Sequence, residues 1–522
     1  MIVGNTSIAT FTNSKKARER GLLVGSILLS LALGAAYTAF QLDSPLLPVV
    51  LILSLAIPVV LWGSARSVLY IVFAATCLFE LFPSGYADSL TERVPFFWNV
   101  NTIFQIYAHA NFKAIPFNLV EVILITAGVC SLIRAVFTKT FSLRGGPLLI
   151  PVSLYLFFVV WGWINGMATG GDFKLSLQEV RAQIYFAAAY FMAVHLVRNP
   201  KEVGTLWWVM AICVSLKGAL YTYRRYVTIG GLPLPDQGVG SHEEAFFFGA
   251  YVLLLIVLSL ASDPAYRSLC TYLWLNLPII ILGNLATNRR AGTAALLIAL
   301  PMMLFAAYKA FPRCRRAIAA IGLAGVLIGP LYYNVFKNSE SAIAQPARAI
   351  RSNFEPDARD ASSNIYRDAE NANQMATIRL APVQGYGYGK RMLHVVAIAD
   401  ISDTYEWWDL LPHNQILWVW MRVGTVGFVA FWIMVCSTII LCCHAARDEG
   451  IVLSVRTHAV FCLATFVALL IFGLYDLQLS NFRSMLFTGI WVGSLAAVYV
   501  PSPQTSTNMR KESHEHNHAS TR

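Results

Sequence analysis

The chain is poor in charge. Only 13% of its 522 residues are Asp, Glu, Lys or Arg, against about 25% in an average soluble domain, while 57% are hydrophobic. That balance excludes a soluble globular enzyme and a disordered chain. CxxC pairs are missing too. Most of the nine cysteines, such as Cys77, Cys130, Cys213, Cys436, Cys442, Cys443 and Cys462, lie inside apolar runs, which excludes a zinc site or a disulfide framework. No Asp-x-Asp occurs. The nearest approaches, Asp357 to Asp360 and Asp400 to Asp403, are spaced too widely for the metal-holding pair of nucleotide-sugar transferases. A basic face with interleaved aromatics is absent, so no nucleic-acid partner is expected. The run Gly385-Tyr386-Gly387-Tyr388-Gly389 lacks the strand–loop–helix setting and Lys-Ser/Thr ending of a phosphate-binding loop, and reads as a tight turn.

What the chain does have is apolar length. Runs of spanning size fall near 21–40, 45–63, 67–82, 117–137, 147–165, 181–198, 203–221, 245–262, 270–287, 291–308, 317–335, 414–443, 457–474 and 484–500. About 20 apolar residues cross a bilayer as a helix, so these runs predict an all-α polytopic membrane protein of about 12–14 transmembrane helices. The run 414–443 is too long for one simple span. Its first half fits the interface and its second half the crossing. Lys15-Lys16-Ala17-Arg18-Glu19-Arg20 precedes the first run without a convincing cleavage site, so that run reads as a helix rather than a signal peptide.

The net charge of +11 reflects basic loops on one side. With the N-terminus in the cytoplasm, Arg134, Lys139, Arg144, Lys309, Arg313, Arg315 and Arg316 face inward, as the positive-inside tendency requires. The domain plan is then N-terminal spans over 1–335, a large outside loop over 336–412, C-terminal spans over 413–500, and a disordered cytoplasmic tail over 501–522. The tail carries His514, His516 and His518.

The most informative segment runs from Pro412-His413-Asn414-Gln415 to Gly424-Thr425-Val426-Gly427. Read as one helix starting at Pro412, it brings His413 and Gly424 to the same face three turns apart. Gly424 and Gly427 then form a notch for a neighbouring helix. Trp407, Trp408, Trp418 and Trp420 fit an interfacial aromatic belt. For a lone His, helix capping or head-group contact is the bland alternative. Arg289-Arg290 is a vicinal pair on the outer side, where topology gives no reason for it, and so is a candidate for function. Arg181 is a further candidate, although it could pair with Glu179 or snorkel. Arg224-Arg225 lies outside in the same map. Lys217 near a helix end reads as a snorkelling side chain. His242-Glu243-Glu244 reads as a helix cap, with acceptor-sugar binding as the alternative. Arg422 falls on a different face from His413.

The motif resembles that of the O-antigen ligase and O-antigen polymerase superfamily: His, then Asn, Ser or Gln, nine residues, Gly, two residues and a small residue. His413, Asn414, Gly424 and Gly427 match it. Asn364-Ile365-Tyr366-Arg367, Pro382-Val383-Gln384-Gly385-Tyr386-Gly387 and Asn288-Arg289-Arg290-Ala291-Gly292 resemble its arginine-bearing helix, its P-x-x-G-x-G turn and its outer arginine. The resemblance covers roughly 270–440. It implies one large periplasmic loop and glycan transfer on the periplasmic side of the bacterial inner membrane, with both termini cytoplasmic. The implied donor is a glycan on undecaprenyl diphosphate, the acceptor a lipid- or glycan-borne hydroxyl or a protein, and further partners are other polysaccharide-assembly proteins. His413 would be the base, suited to it as a neutral imidazole. Arg289, Arg290, Arg181 and Arg367 would neutralise the diphosphate through bidentate hydrogen bonds. No metal or other cofactor is implied, and in-line attack would invert the anomeric centre. The alternative is a lipid-linked glycan transporter or flippase using the same arginines.

Overall fold

The computed structural model describes residues 65–81, 91–92, 94–107, 117–138, 144–230, 239–339, 341–352, 354–403 and 405–501. The runs 21–40 and 45–63 and the tail 502–522 lie outside the described residues. The protein is all-α, with no strand among the described residues. It divides near Arg144 into two compact units, with Thr76–Leu78 counted in the second.

The first unit holds α1 (Ala65–Leu78), α2 (Val100–Tyr107) and α3 (Leu119–Thr138). Helix α3 opens on a reciprocal cap. The Asn118 amide donates to the Glu121 carboxylate at 2.8 Å, and the Glu121 amide donates to the Asn118 side chain at 2.9 Å, which satisfies two backbone donors at once.

The second unit holds α4 (Leu149–Ala168), α5 (Phe173–Leu196), α6 (Pro200–Tyr223, continued by a π-helical turn Arg224–Thr228), α7 (Glu244–Ala261), α8 (Arg267–Thr287), α9 (Arg290–Ala310) and α10 (Arg315–Phe336). Then come α11 (Gln345–Arg351) and α12 (Ala358–Leu380). Last are α13 (Gln415–Arg447), α14 (Leu453–Gly473) and α15 (Phe482–Val498). Short polar side chains start many of these helices. Asp172, Asn199, Asp357, Asn414 and Asn481 each accept a backbone N–H from the first turn, and that preference is worth about 1 kcal/mol per cap.

Eight helices among the described residues are long and apolar enough to cross a membrane. Helix α10 shows what lipid as solvent means. It buries only Ile318, and Leu323, Val326, Leu327 and Leu331 face outward, an arrangement that water would penalise. Helix α5 behaves oppositely. It carries Glu179, Arg181 and Gln183 and buries all three. Its partner α15 approaches closely, because a Cβ at Gly489 would meet the Phe186 carbonyl oxygen at 2.5 Å. Small residues permit such contact between helices in lipid.

Candidate functional site

The segment after α10 is folded. Helix α12 turns a polar stripe inward: Glu370, Asn373, Gln374 and Thr377 are all buried. Asn373 Oδ1 accepts the backbone N–H groups of Val395 and Val396 at 2.9 and 2.8 Å, and Thr377 Oγ1 accepts that of Leu393 at 2.9 Å. The stripe thereby lashes the strap 392–396 to the helix. Glu370 reaches His413: its Oε2 lies 2.8 Å from Nδ1 and accepts the His413 backbone N–H at 3.3 Å. The edge-on ring of Tyr366, one turn earlier, sits 6.1 Å from the imidazole centroid.

The expected straight helix from His413 to Gly424 is not what forms. Asn414 is the N-cap and α13 begins at Gln415, so Pro412 and His413 precede the helix. Gly424 has φ 71° and ψ 178°, which breaks the helix between 415–423 and 425–447. The positive φ favours glycine. A Cβ there would also strike the Val383 carbonyl oxygen and the Gly385 amide. The occupant of the Gly424 notch is therefore a turn rather than a helix. Tyr386 N donates to Met421 O at 2.8 Å and Thr425 N to Pro382 O at 2.8 Å, so the glycine turn satisfies backbone groups freed by the break. Gly427 does face a helix, with Phe158 of α4 3.0 Å from its would-be Cβ.

Arg422 anchors this arrangement from below. It is fully buried, with Nε 2.6 Å from Glu179. It donates to the carbonyls of Gly387, Lys390 and Leu410 at 2.9, 2.8 and 3.0 Å. Trp418 Nε1 donates to the same Glu179 at 3.1 Å. Trp418 is thus a core residue and no part of an aromatic belt, and Glu179 serves Arg422.

Beside His413, five helix ends meet. Val239 N donates to Ala286 O at 2.9 Å, which sets the entry to α7 against the end of α8. A Cβ on Gly292 of α9 would lie 2.5 Å from Ala245 of α7 and 3.5 Å from Phe472 of α14. A Cβ on Gly473 would lie 3.9 Å from Gln415 of α13. His242, Arg289 and His413 therefore stand at the N-terminal entries of α7, α9 and α13, around the turn after α14 that holds Asp476. His242 Nδ1 lies 2.9 and 3.1 Å from the Asp476 carboxylate oxygens. Burial pushes the Asp476 carboxyl up, but His242, with Arg289 and His413, outweighs it and holds the group well below the usual carboxylate range. Burial, then the charges of Asp476 and Glu370, pushes the Tyr405 phenol up, so Tyr405 keeps its proton within electrostatic reach of both acids. Burial and the carboxylates of Glu370, Asp409 and Asp400 do the same to Tyr366.

Of the remaining predicted arginines, Arg290 and Arg367 lie at this corner. Arg290 pairs with Asp360 on the first turn of α12 at 2.8 Å. Arg367 lies one turn before Glu370 on α12, and its Nε is buried without a hydrogen-bond partner. Arg181 is buried on α5, about 200° round the helix from Gln183, whose amide donates to Leu479 O at 2.5 Å in the turn that carries Asp476. Arg224 is buried in the π-helical turn. Lys217 is buried against Glu244 at 3.4 Å and does not snorkel. Among the described residues no group of His, Cys, Asp and Glu side chains is placed to hold a metal. Sequence reasoning missed Glu370, Tyr405 and Asp476. The signal for Glu370 was an acid sharing one helical face with Asn373, Gln374 and Thr377, and for Asp476 an acid in a short turn between apolar runs.

Residues 275–432 match the protein-family model described as O-antigen ligase. No curated protein matches the chain. The matched stretch runs from within α8 to within α13 and includes Arg289, Arg290, Arg367, Glu370, His413 and Gly424. It supports the O-antigen ligase/polymerase superfamily, the family that the motifs resemble.

Proposed function

From that family match, we propose that the chain transfers a glycan from an undecaprenyl-diphosphate carrier to an acceptor hydroxyl at the periplasmic face of the bacterial inner membrane. Both termini lie in the cytoplasm and 336–412 forms the periplasmic loop. The observation that carries the reading is the Glu370–His413 pair at the same corner as Arg289 and Asp476. With Nδ1–H given to Glu370, the neutral imidazole of His413 keeps its lone pair on Nε2. Its ring is 25% exposed while Glu370 is covered, so an acceptor reaches the base and water does not reach its partner.

The acceptor hydroxyl gives its proton to His413 Nε2 as its oxygen attacks the anomeric carbon from the face opposite the diphosphate, inverting that centre. The anomeric C–O bond breaks and its electrons stay on the diphosphate. Arg289 meets that charge, with Arg290, Arg367 and Arg181 around it, and the N-terminal ends of α7, α9 and α13 add favourable dipoles for an anion. The step calls for no metal. His242, Arg289, His413 and Asp476 lie at helix ends, which supports a transferase over a flippase that carries its lipid past mid-membrane charges.

The test is transfer from labelled undecaprenyl-diphosphate glycan by the purified full chain. H413A is expected to lose at least about 100-fold in rate while still binding donor. Full transfer by H413A removes the base role. Longer lipid-linked chains among the products assign a polymerase, glycan on lipid A core a ligase, and glycan on protein an oligosaccharyltransferase.

A further inference from the structure

The cluster His242-Glu243-Glu244 is split by the fold. Glu243 and Glu244 both turn to the buried Arg483, Glu243 at 2.8 Å, and Glu244 also meets Lys217. Those two acids belong to a buried ion network with Arg483 and Lys217. His242 turns the other way. Its side chain is 43% exposed, while the Asp476 carboxylate that holds its Nδ1 is 6% exposed. A covered carboxylate that orients an accessible imidazole sets out a ligand-facing group, not a packing one. Its position is equally specific. Ala245, three residues on, packs on Gly292 of α9, so His242 and Arg289 precede two helix entries that touch. Asp476 lies within electrostatic reach of Arg289 and His413 as well.

We propose that His242, anchored by Asp476, is a second imidazole of the site and binds the lipid diphosphate opposite His413. This deepens the transferase reading above and rests on it. With Nδ1–H held by Asp476, the imidazolium presents Nε2–H to the diphosphate. During transfer the acceptor proton passes to His413, the new glycosidic C–O bond forms, and the old anomeric C–O bond leaves its electron pair on a phosphate oxygen. His242 and Arg289 face that oxygen, and His242 keeps its proton. The two imidazoles divide the work by their surroundings. His413 is tied to α12 in the loop that admits the acceptor, and His242 to the helix entries where an anion is favoured.

The experiment measures binding of glycan-free undecaprenyl diphosphate to the full chain in lipid nanodiscs, for wild type, H242Q, H242K and R289Q. H242Q is expected to weaken binding about tenfold or more, the scale of one charge-assisted hydrogen bond. H242K, which keeps the charge, is expected to restore most of it. A folding defect would not be repaired by lysine. Wild-type affinity in H242Q, or no recovery in H242K, overturns the assignment. If R289Q loses binding while H242Q does not, only the role of His242 falls. If wild type neither binds the diphosphate lipid nor transfers its glycan, the transferase reading falls with it.

Discussion

On the proposed transfer reading two carboxylates give the site its chemistry, and each can be tested on its own. Glu370 lies 2.8 Å from His413 Nδ1 and in the proposed reaction sets which ring nitrogen faces the substrate. E370Q should reduce transfer by about 100-fold with donor affinity unchanged, read by single-turnover rates beside a binding assay. Asp476 carries a sign that pH can expose. Its carboxyl is more acidic in the fold than in the unfolded chain, against the pull of burial, because of His242, Arg289 and His413. The stabilisation is therefore complete above the unfolded carboxylate range and is lost as pH falls toward the folded value. D476N lacks it at every pH. The melting-temperature advantage of wild type over D476N should be full at pH 7 and shrink below about pH 4.

Among the elements, α13 decides how the loop and the bundle join. Its break at Gly424 docks the Pro382–Gly385 turn, and Arg422 ties Gly387, Lys390 and Leu410 to α5 through Glu179. G424A forces a Cβ into a left-handed backbone and against Val383 O. It should cost about 1–3 kcal/mol from backbone strain alone, seen as a lower thermal midpoint. R422M leaves Glu179 buried without its cation and should cost about 3–5 kcal/mol. The double variant E179Q/R422M should recover part of that loss. If it unfolds as early as R422M, the pair is not the source of the stability.

At the scale of the whole molecule, lipid replaces water as the solvent for eight described helices, and the proposed topology puts the 385–412 segment and the α13–α14 turn on opposite sides. Ser402 and Glu449 are both exposed. In a cysteine-free background, S402C should react with an impermeant thiol reagent in intact cells, and E449C only after the inner membrane is opened. The reverse pattern would invert the topology.

The sequence by itself determined the membrane class and carried the resemblance to the family, because apolar length and a spaced His–Gly motif are local, one-dimensional quantities. It also carried the candidate arginines, since in the proposed topology their charge conflicts with the positive-inside tendency. Only tertiary structure decided who pairs with whom. Glu370 stands 43 residues before its His413, and His242 lies 234 residues from Asp476. No periodicity links residues so far apart, and each acid alone looks like an ordinary cap. The Gly424 break was likewise hidden. An apolar run looks like one helix until a turn from elsewhere in the chain supplies the hydrogen bonds that let it break.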